Sequence, residues 1–266
     1  MREQGIDISW WQGIWTWLQN IFFVIIKATD GMGIDGHYYD NLAEVKKVPV
    51  RGAYHYFRTA ADPVAQARFF WQAVQDHRFH FLAVDYEGRH NVLDKVGALN
   101  LYLFLQELGD LTQLPVVLYT TEYILRDNLI VHYGDFNKIP LWVARHNSSM
   151  DPQEDEPLQL DTGAQWVLWQ YSAKGNKKGG EFGAESEDIC LDVDNGKFIR
   201  RLIMKKAYNS KTIIFNLLAV IILWILPAIW PDFVLAIPES WAPFEAPVLA
   251  IVNLILRLVT NKGIEL

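Results

Sequence analysis

Through the first 196 positions, apolar residues gather into short runs rich in β-branched and aromatic side chains, separated by polar stretches. The runs are GIDIS (5–9), FFVIIKAT (22–29), VRGAYHYF (50–57), HFLAVDYE (80–87), PVVLYT (115–120), PLWVARHN (140–147), WVLWQYS (166–172) and ICLDV (189–193). Several are nearly continuously apolar rather than alternating, which is the pattern of strands buried on both faces and covered by helices. Helical spacing falls between some of them, at 63–75 and 94–108, while connections such as 12–21 are brief. Eight candidate strands in this order predict an α/β fold, a (β/α)8-like barrel of parallel strands with some short or missing helices. The polar, Gly-rich stretch 172–188 reads as a surface loop.

A different pattern begins after the last run. KFIRRLIMKKAYNSK (197–211) carries six Lys/Arg and no acid, and TIIFNLLAVIILWILPAIW (212–230) follows with 19 residues and no charge. At 1.5 Å per residue, a helix of that length reaches about 28 Å, close to the roughly 30 Å of a bilayer's hydrocarbon. Pro227 would kink it near its end, and Trp224 and Trp230 suit an interfacial position. The run APVLAIVNLIL (246–256) is short for a span and suits the return arm of a hairpin or an interfacial segment. The expected organisation is a barrel at 1–198, a basic juxtamembrane linker at 199–211 and a membrane-inserting tail at 212–266, with a C-terminal helical transmembrane segment contacting lipid.

Charge sharpens this division. The net charge of −7 combines an acidic excess in residues 1–196 with a basic excess in 197–266. An acidic globular part argues against nucleic acid as a partner, since phosphate binding needs a basic surface. Cys190 is the single cysteine, so no internal disulfide is available and stability rests on packing. MREQGIDISWWQG lacks the uninterrupted apolar stretch of an export signal. His77 and His80 read as surface or packing residues and His55, in the third run, as structural, and neither a metal nor another cofactor is expected.

In a parallel barrel, catalytic groups sit at the C-terminal ends of strands. Asp7 falls late in the first candidate strand, Asp85 and Glu87 at the end of the fourth and Asp192 near the end of the eighth. Residues at i and i+2 of a strand share a face, so the two carboxyls of Asp85-Tyr86-Glu87 share one side of the mouth. Like charges held close raise at least one pKa, letting one carboxyl stay protonated while the other ionises. Glycosidic cleavage needs that division of labour. A D-x-E pair alone is a weak signal, and its context carries the argument further.

With GIDISWWQG (5–13), FVIIKATDG (23–31), the Asp40-Asn41 pair, VRGAYHYF (50–57), LAVDYE (82–87), PVVLYT (115–120), LWVAR (141–145), WQYS (169–172) and LDVDNGKF (191–198), the chain resembles the lysozymes of glycoside hydrolase family 25. The resemblance implies a muramidase that cleaves the β-1,4 bond between N-acetylmuramic acid and N-acetylglucosamine of peptidoglycan. It implies Glu87 as the acid that protonates the leaving oxygen and Asp85 as the partner that steadies positive charge. Asp7 and Asp192 complete the acidic cup, Asp192 being preferred over its neighbour Asp194. It also implies retention of configuration, with the substrate's own N-acetyl group a plausible nucleophile. Two departures stand out: Asp30 where relatives more often have glutamate, and Arg145-His146 at a place often aromatic.

Sugar rings present apolar C–H faces that stack on flat side chains. Trp10, Tyr54, Tyr56, Tyr119, Trp142 and Trp169 all fall near strand ends, and Gln170 offers an amide; Tyr54, Tyr119 and Trp169 are the foremost of these substrate-binding candidates. Two other readings stand beside the muramidase: a barrel that only binds wall glycan, and a protein whose tail, as a membrane lesion or anchor, is the main function. The tail also resembles small phage membrane proteins of the holin kind. That points to a phage or prophage lysis enzyme tethered to the bacterial inner membrane, with its catalytic domain cytoplasmic until lysis.

Overall fold

A computed structural model describes residues 1–16, 21–158, 163–175 and 179–208, the side chains of 205–208 excepted. The chain divides into two units, Met1–Arg200 and Arg201–Leu266. Of the second, only 201–208 are described, and they continue a helix that starts in the first. Both apolar runs of the tail, 212–230 and 246–256, lie outside the described residues. Among the described residues, no helix is long and apolar enough to cross a membrane.

Nine strands form one sheet: β1 (Gln4–Ile8), β2 (Phe23–Asp30), β3 (Gly33–Ile34), β4 (Val50–Tyr56), β5 (Phe81–Asp85), β6 (Val116–Thr121), β7 (Leu141–Ala144), β8 (Trp166–Ser172) and β9 (Cys190–Asp194). The order β1-β9-β8-β7-β6-β5-β4-β2, with β1 also paired to β2, closes an eight-stranded barrel, and β3 adds a short hairpin arm to β2. All eight candidate strands are present, seven within a residue or two of their expected bounds, while β7 stops at Ala144, three residues short of the end of the run 140–147. The expectation of a wholly parallel barrel is corrected at its last strand, because β9 runs antiparallel to both β8 and β1. A parallel return needs a crossover of a dozen or more residues, usually a helix. Among the described residues, the β8–β9 connection contains only the 3-10 turn Gly179–Phe182.

Helices cover part of the barrel: α1 (Tyr38–Val45), α2 (Pro63–Val74), α3 (Lys95–Leu111), a short α4 (Glu122–Ile124) that runs on into a π-helical turn, and α5 (Phe198–Tyr208). α2 starts where Pro63 presets the first turn and Asp62 accepts from the Ala65 amide; α3 starts where Asp94 accepts from the Gly97 amide. The outward faces of the strands, including Ile6, Val24, Ile26, Leu82, Val84 and Leu118, pack with Phe70, Leu101, Phe104 and Leu108 of α2 and α3 in one buried cluster. Beneath this layer, His55 bonds Thr29 Oγ1 at 2.7 Å and Gln66 at 3.3 Å, and stacks on Phe104 at 4.8 Å. It is a packing residue, as expected.

Inside the barrel, small residues stand against large ones. A Cβ on Gly5 or Gly52 would come within 2.4 Å of the ring of Phe23 or Phe81, respectively. Phe81 in turn meets Phe198 edge-on at 5.4 Å. The expected loop 172–188 is partly a packed lid rather than an open surface loop. Gly183 accepts from the Thr16 amide at 2.7 Å, Ala184 bridges to the buried Trp15, and the Trp15 indole donates to Phe182. A side chain at Gly183 would collide with the Thr16 carbonyl, so this glycine marks close backbone contact.

Candidate active site

Strand register brings Asp30, Tyr56, Asp85, Tyr119 and Trp142 into one row across β2, β4, β5, β6 and β7. Paired residues on adjacent strands share a face, so Tyr56, Asp85, Tyr119 and Trp142 converge at one level of the barrel. Asp30 joins them through a bulge. The β2–β4 pairing steps from Lys27↔Tyr54 to Thr29↔His55, leaving Ala28 extra, so Lys27 and Asp30, three apart, both turn inward. Asp30 accepts from Lys27 Nζ at 2.9 Å and from both Nε and Nη2 of Arg58, at 2.5 and 3.0 Å.

Asp85 ends β5, and Glu87 lies two residues on. The extended backbone continues between them, since the Tyr86 amide donates to the Tyr119 carbonyl and Thr120 Oγ1 donates to the Tyr86 carbonyl. Tyr86 therefore turns to the other side, where its hydroxyl donates to the Val92 carbonyl. Asn91 donates to the Glu87 carbonyl at 2.9 Å and accepts from the Thr59 amide at 2.8 Å, fixing the turn after Glu87. Asp85 is buried and Glu87 half-buried. Burial pushes both carboxyls upward, Asp85 far above its ordinary range, with Glu87, Asp7 and Asp30 adding to its shift and Lys27 opposing it. A low-dielectric site disfavours two adjacent negative charges, so the pair favours sharing one proton over carrying both charges.

Behind this pair, Asp7 on β1 and Asp192 on β9 form a second one. Burial raises Asp7 to about 6, against the opposing bond from Gln170. Asp192 is pushed well above the ordinary range by burial and by Asp7. The Trp142 indole donates to Asp192 Oδ1 at 2.7 Å, while Oδ2 is buried with no donor aimed at it. A proton on Asp192, facing Asp7, removes that deficit. Gln170 donates from Nε2 to Asp7 Oδ2 at 2.6 Å, and its Oε1 accepts from the Tyr119 hydroxyl at 2.9 Å and bonds His146 Nε2 at 2.7 Å. Because β9 is antiparallel, Asp192 reaches the cup from mid-strand rather than from a strand's C-terminal rim. Cys190 lies opposite Asp7 in the β1–β9 register, and burial raises its thiol well above its usual value.

Tyr54 is buried beside these acids and meets Trp142 edge-on at 6.1 Å; Tyr119 meets Trp142 at 4.6 Å. The structure thus brings together Asp7, Asp85, Glu87, Asp192, Tyr54, Tyr119, Trp142 and Gln170. Trp169 does not join them. Adjacent to Gln170 in a strand, it faces the other side, fully buried, with its indole donating to the Arg145 carbonyl at 2.8 Å. Trp10 stands apart from the acids, exposed and stacked on Trp11 at 4.1 Å. It lines a cleft of about 390 Å³ with Lys27, Asp30, Ile34, Asp35, Gly36 and His37.

Sequence reasoning did not foresee Lys27, Arg58 or Asp35 at this mouth, or β3 beside it. Asp35 is buried and accepts from the amides of Trp10 and His37. Asn41 fixes the β1 connection by accepting from the Trp15 amide at 2.6 Å. His146 proves to be a polar member of the site through its bond to Gln170.

The sequence model for glycosyl hydrolases family 25 matches residues 6–180. The Escherichia coli (strain K12) protein YegX, itself uncharacterized, is 30% identical over 187 residues, covering 66% of this chain and 65% of YegX. The chain thus spans just under two thirds of that relative's length. Lysozyme M1 of Streptomyces globisporus is 30% identical over 214 residues, 73% of this chain and 67% of the relative. In fold, the chain is similar to the crystal structure of the bacterial lysozyme from Streptomyces coelicolor, with a TM-score of 0.60 and 27% identity over 76% of this chain and 96% of that one. A family 25 glycosyl hydrolase from Bacillus anthracis superposes with a TM-score of 0.62 at 23% identity, covering 75% and 92%. By its matched residues and its barrel, the chain belongs to glycosyl hydrolase family 25.

Proposed function

We propose that the chain is a peptidoglycan hydrolase that cleaves the β-1,4 bond between N-acetylmuramic acid and N-acetylglucosamine. The observation that carries this reading is the pairing of half-buried Glu87 with buried Asp85 at the barrel mouth, over a second buried pair, Asp7 and Asp192. Of the four, Glu87 is the carboxyl that opens toward solvent, and its raised affinity for a proton suits general-acid transfer to the leaving oxygen. Asp85, once ionised, steadies the positive charge that develops at the sugar. Asp7, held by Gln170, and Asp192, held by Trp142, shape the electrostatics behind them, while Tyr54 and Tyr119 line the seat of the sugar and Trp10 borders the adjoining cleft. Its relatives called lysozymes support the same chemistry.

The test is muropeptide release from purified peptidoglycan by the full chain and its Glu87→Gln variant, with the new reducing ends read by mass spectrometry. N-acetylmuramic reducing ends that vanish in the variant support the muramidase. A folded wild-type chain that binds wall glycan without cutting it moves the reading to a binding barrel.

The uncharged run 212–230 behind six basic residues favours a finer reading, in which a phage or prophage lysis enzyme is tethered to the inner membrane through lipid contacts at 212–230 and 246–256. Protease added outside intact spheroplasts should leave the barrel uncut; digestion from outside contradicts the cytoplasmic placement.

A further inference from the structure

Two buried polar atoms in the mouth lack partners on neighbouring strands: the hydroxyl of Tyr56 on β4 and Oδ1 of Asp85 on β5. They belong to residues directly paired in the β4–β5 register. One is a donor without an acceptor, the other an acceptor without a donor. Burying such groups unsatisfied is unfavourable, and native folds leave few of them. The ring of Tyr56 is fixed, with Lys27 Nζ and Arg58 Cζ each 4.7 Å from its centroid and both cations bound to Asp30. A pinned ring confines its hydroxyl to the neighbourhood of the acid pair.

The arrangement of protons gives the orphan atoms a use. In the unliganded site, the deeper Asp85 is the better proton holder, yet the carboxyl open to a leaving group is Glu87. Groups facing Asp85 are Glu87 beyond its own strand, Lys27 and Asp30 from β2, Asp7 from β1, and Tyr54, Tyr56 and Tyr119 from β4 and β6. Of these, Tyr56 combines the paired register position with a free donor. Burial holds its phenol protonated, so it donates a hydrogen bond and gives up no proton.

We propose that Tyr56 is a positioning residue for the acid pair: the carboxyl of Asp85, once ionised, turns its Oδ1 onto the fixed Tyr56 hydroxyl, leaving the shared proton on Glu87. No proton is gained or lost by the pair; one moves from Asp85 to Glu87 while Tyr56 keeps its own. The assignment of the acid rests on the muramidase reading, whereas the Tyr56–Asp85 bond does not.

The experiment is a carboxyl carbon-13 NMR titration of the full chain with labelled aspartate, comparing wild type with Tyr56→Phe and identifying the signal by its loss in Asp85→Asn. The variant keeps the ring and the cations over it. The Asp85 midpoint should lie higher in Tyr56→Phe, and equal midpoints overturn the proposal whether or not the protein cuts glycan. On peptidoglycan, Tyr56→Phe should lower kcat about tenfold with KM little changed. The acidic limb of its pH profile should move to higher pH, with activity recovering above it. A wild-type kcat with an unmoved limb contradicts the proposal, as does a loss of thermal stability in the variant at pH well below the Asp85 midpoint, where the proposed bond is not made and a loss would mark a different, purely structural contact.

Discussion

Gln170 donates its amide N–H to Asp7 Oδ2 at 2.6 Å across 163 residues of sequence. Its Oε1 meets two further partners, Tyr119 and His146, so one side chain ties β8 to β1, β6 and the end of β7. Removing it orphans buried groups on several strands at once. Gln170→Leu should cost about 1–3 kcal/mol of stability, the usual penalty for leaving buried partners unsatisfied, and should lower turnover at least roughly tenfold by freeing Asp7. Denaturant midpoints and muropeptide release rates measure the two effects separately.

Much of this site was legible in the sequence, and the exceptions have definite causes. The strands announced themselves because a barrel covered by helices makes them apolar on both faces. Strand periodicity put Asp85 and Glu87 on one face, and the family resemblance singled the pair out. The same periodicity places Trp169 opposite Gln170, so the two cannot both face the sugar. Lys27 and Asp30, three apart, share a face because of the bulge at Ala28, which leaves no compositional mark. The reversal of β9 did have a signal: a polar, Gly-rich link without helical spacing is a poor crossover between parallel strands.

The second acid pair should make the fold less stable as pH rises. Asp7 moves from 3.8 to about 6 on folding, so between those values the native state holds more protons than the unfolded one. Its stabilising contribution is complete below about pH 4 and lost as pH climbs through 6, by about 3 kcal/mol at most. Asp7→Asn should therefore unfold at a higher temperature than wild type at pH 7.5, with the gap closing toward pH 4. Calorimetry at the two pH values checks this; a variant less stable at pH 7.5 would sink it. The cost of the native acids at neutral pH fits a site built for chemistry rather than stability.

His55 has the opposite dependence. Burial under Phe104 and Phe70 lowers its pKa from 6.5 to about 3, so the unfolded chain binds the extra proton. The contribution is present above about 6.5 and lost as pH falls toward 3, by about 5 kcal/mol over the whole range. In NMR, the His55 ring signals should stay those of neutral imidazole from pH 7 down to pH 4 in the folded protein. A titration centred near 6.5 would show that the ring is open to water.

His146 supplies the last dependence, on activity rather than stability. Its ring nitrogen bonds Gln170 Oε1 at 2.7 Å, and it lowers the proton affinities of both Asp7 and Glu87. The alkaline limb of a muramidase using Glu87 as acid falls where Glu87 loses its proton. His146→Phe removes a group that lowers the proton affinity of Glu87 and should move the alkaline limb to higher pH. Because Gln170 retains the Tyr119 hydroxyl on the same oxygen, the fold and the hold on Asp7 should survive the change. Initial rates of glycan cleavage across pH 4–9 for wild type and variant decide the matter: an upward shift follows from the geometry, while an unchanged or lowered limb would mean that His146 serves only to brace Gln170.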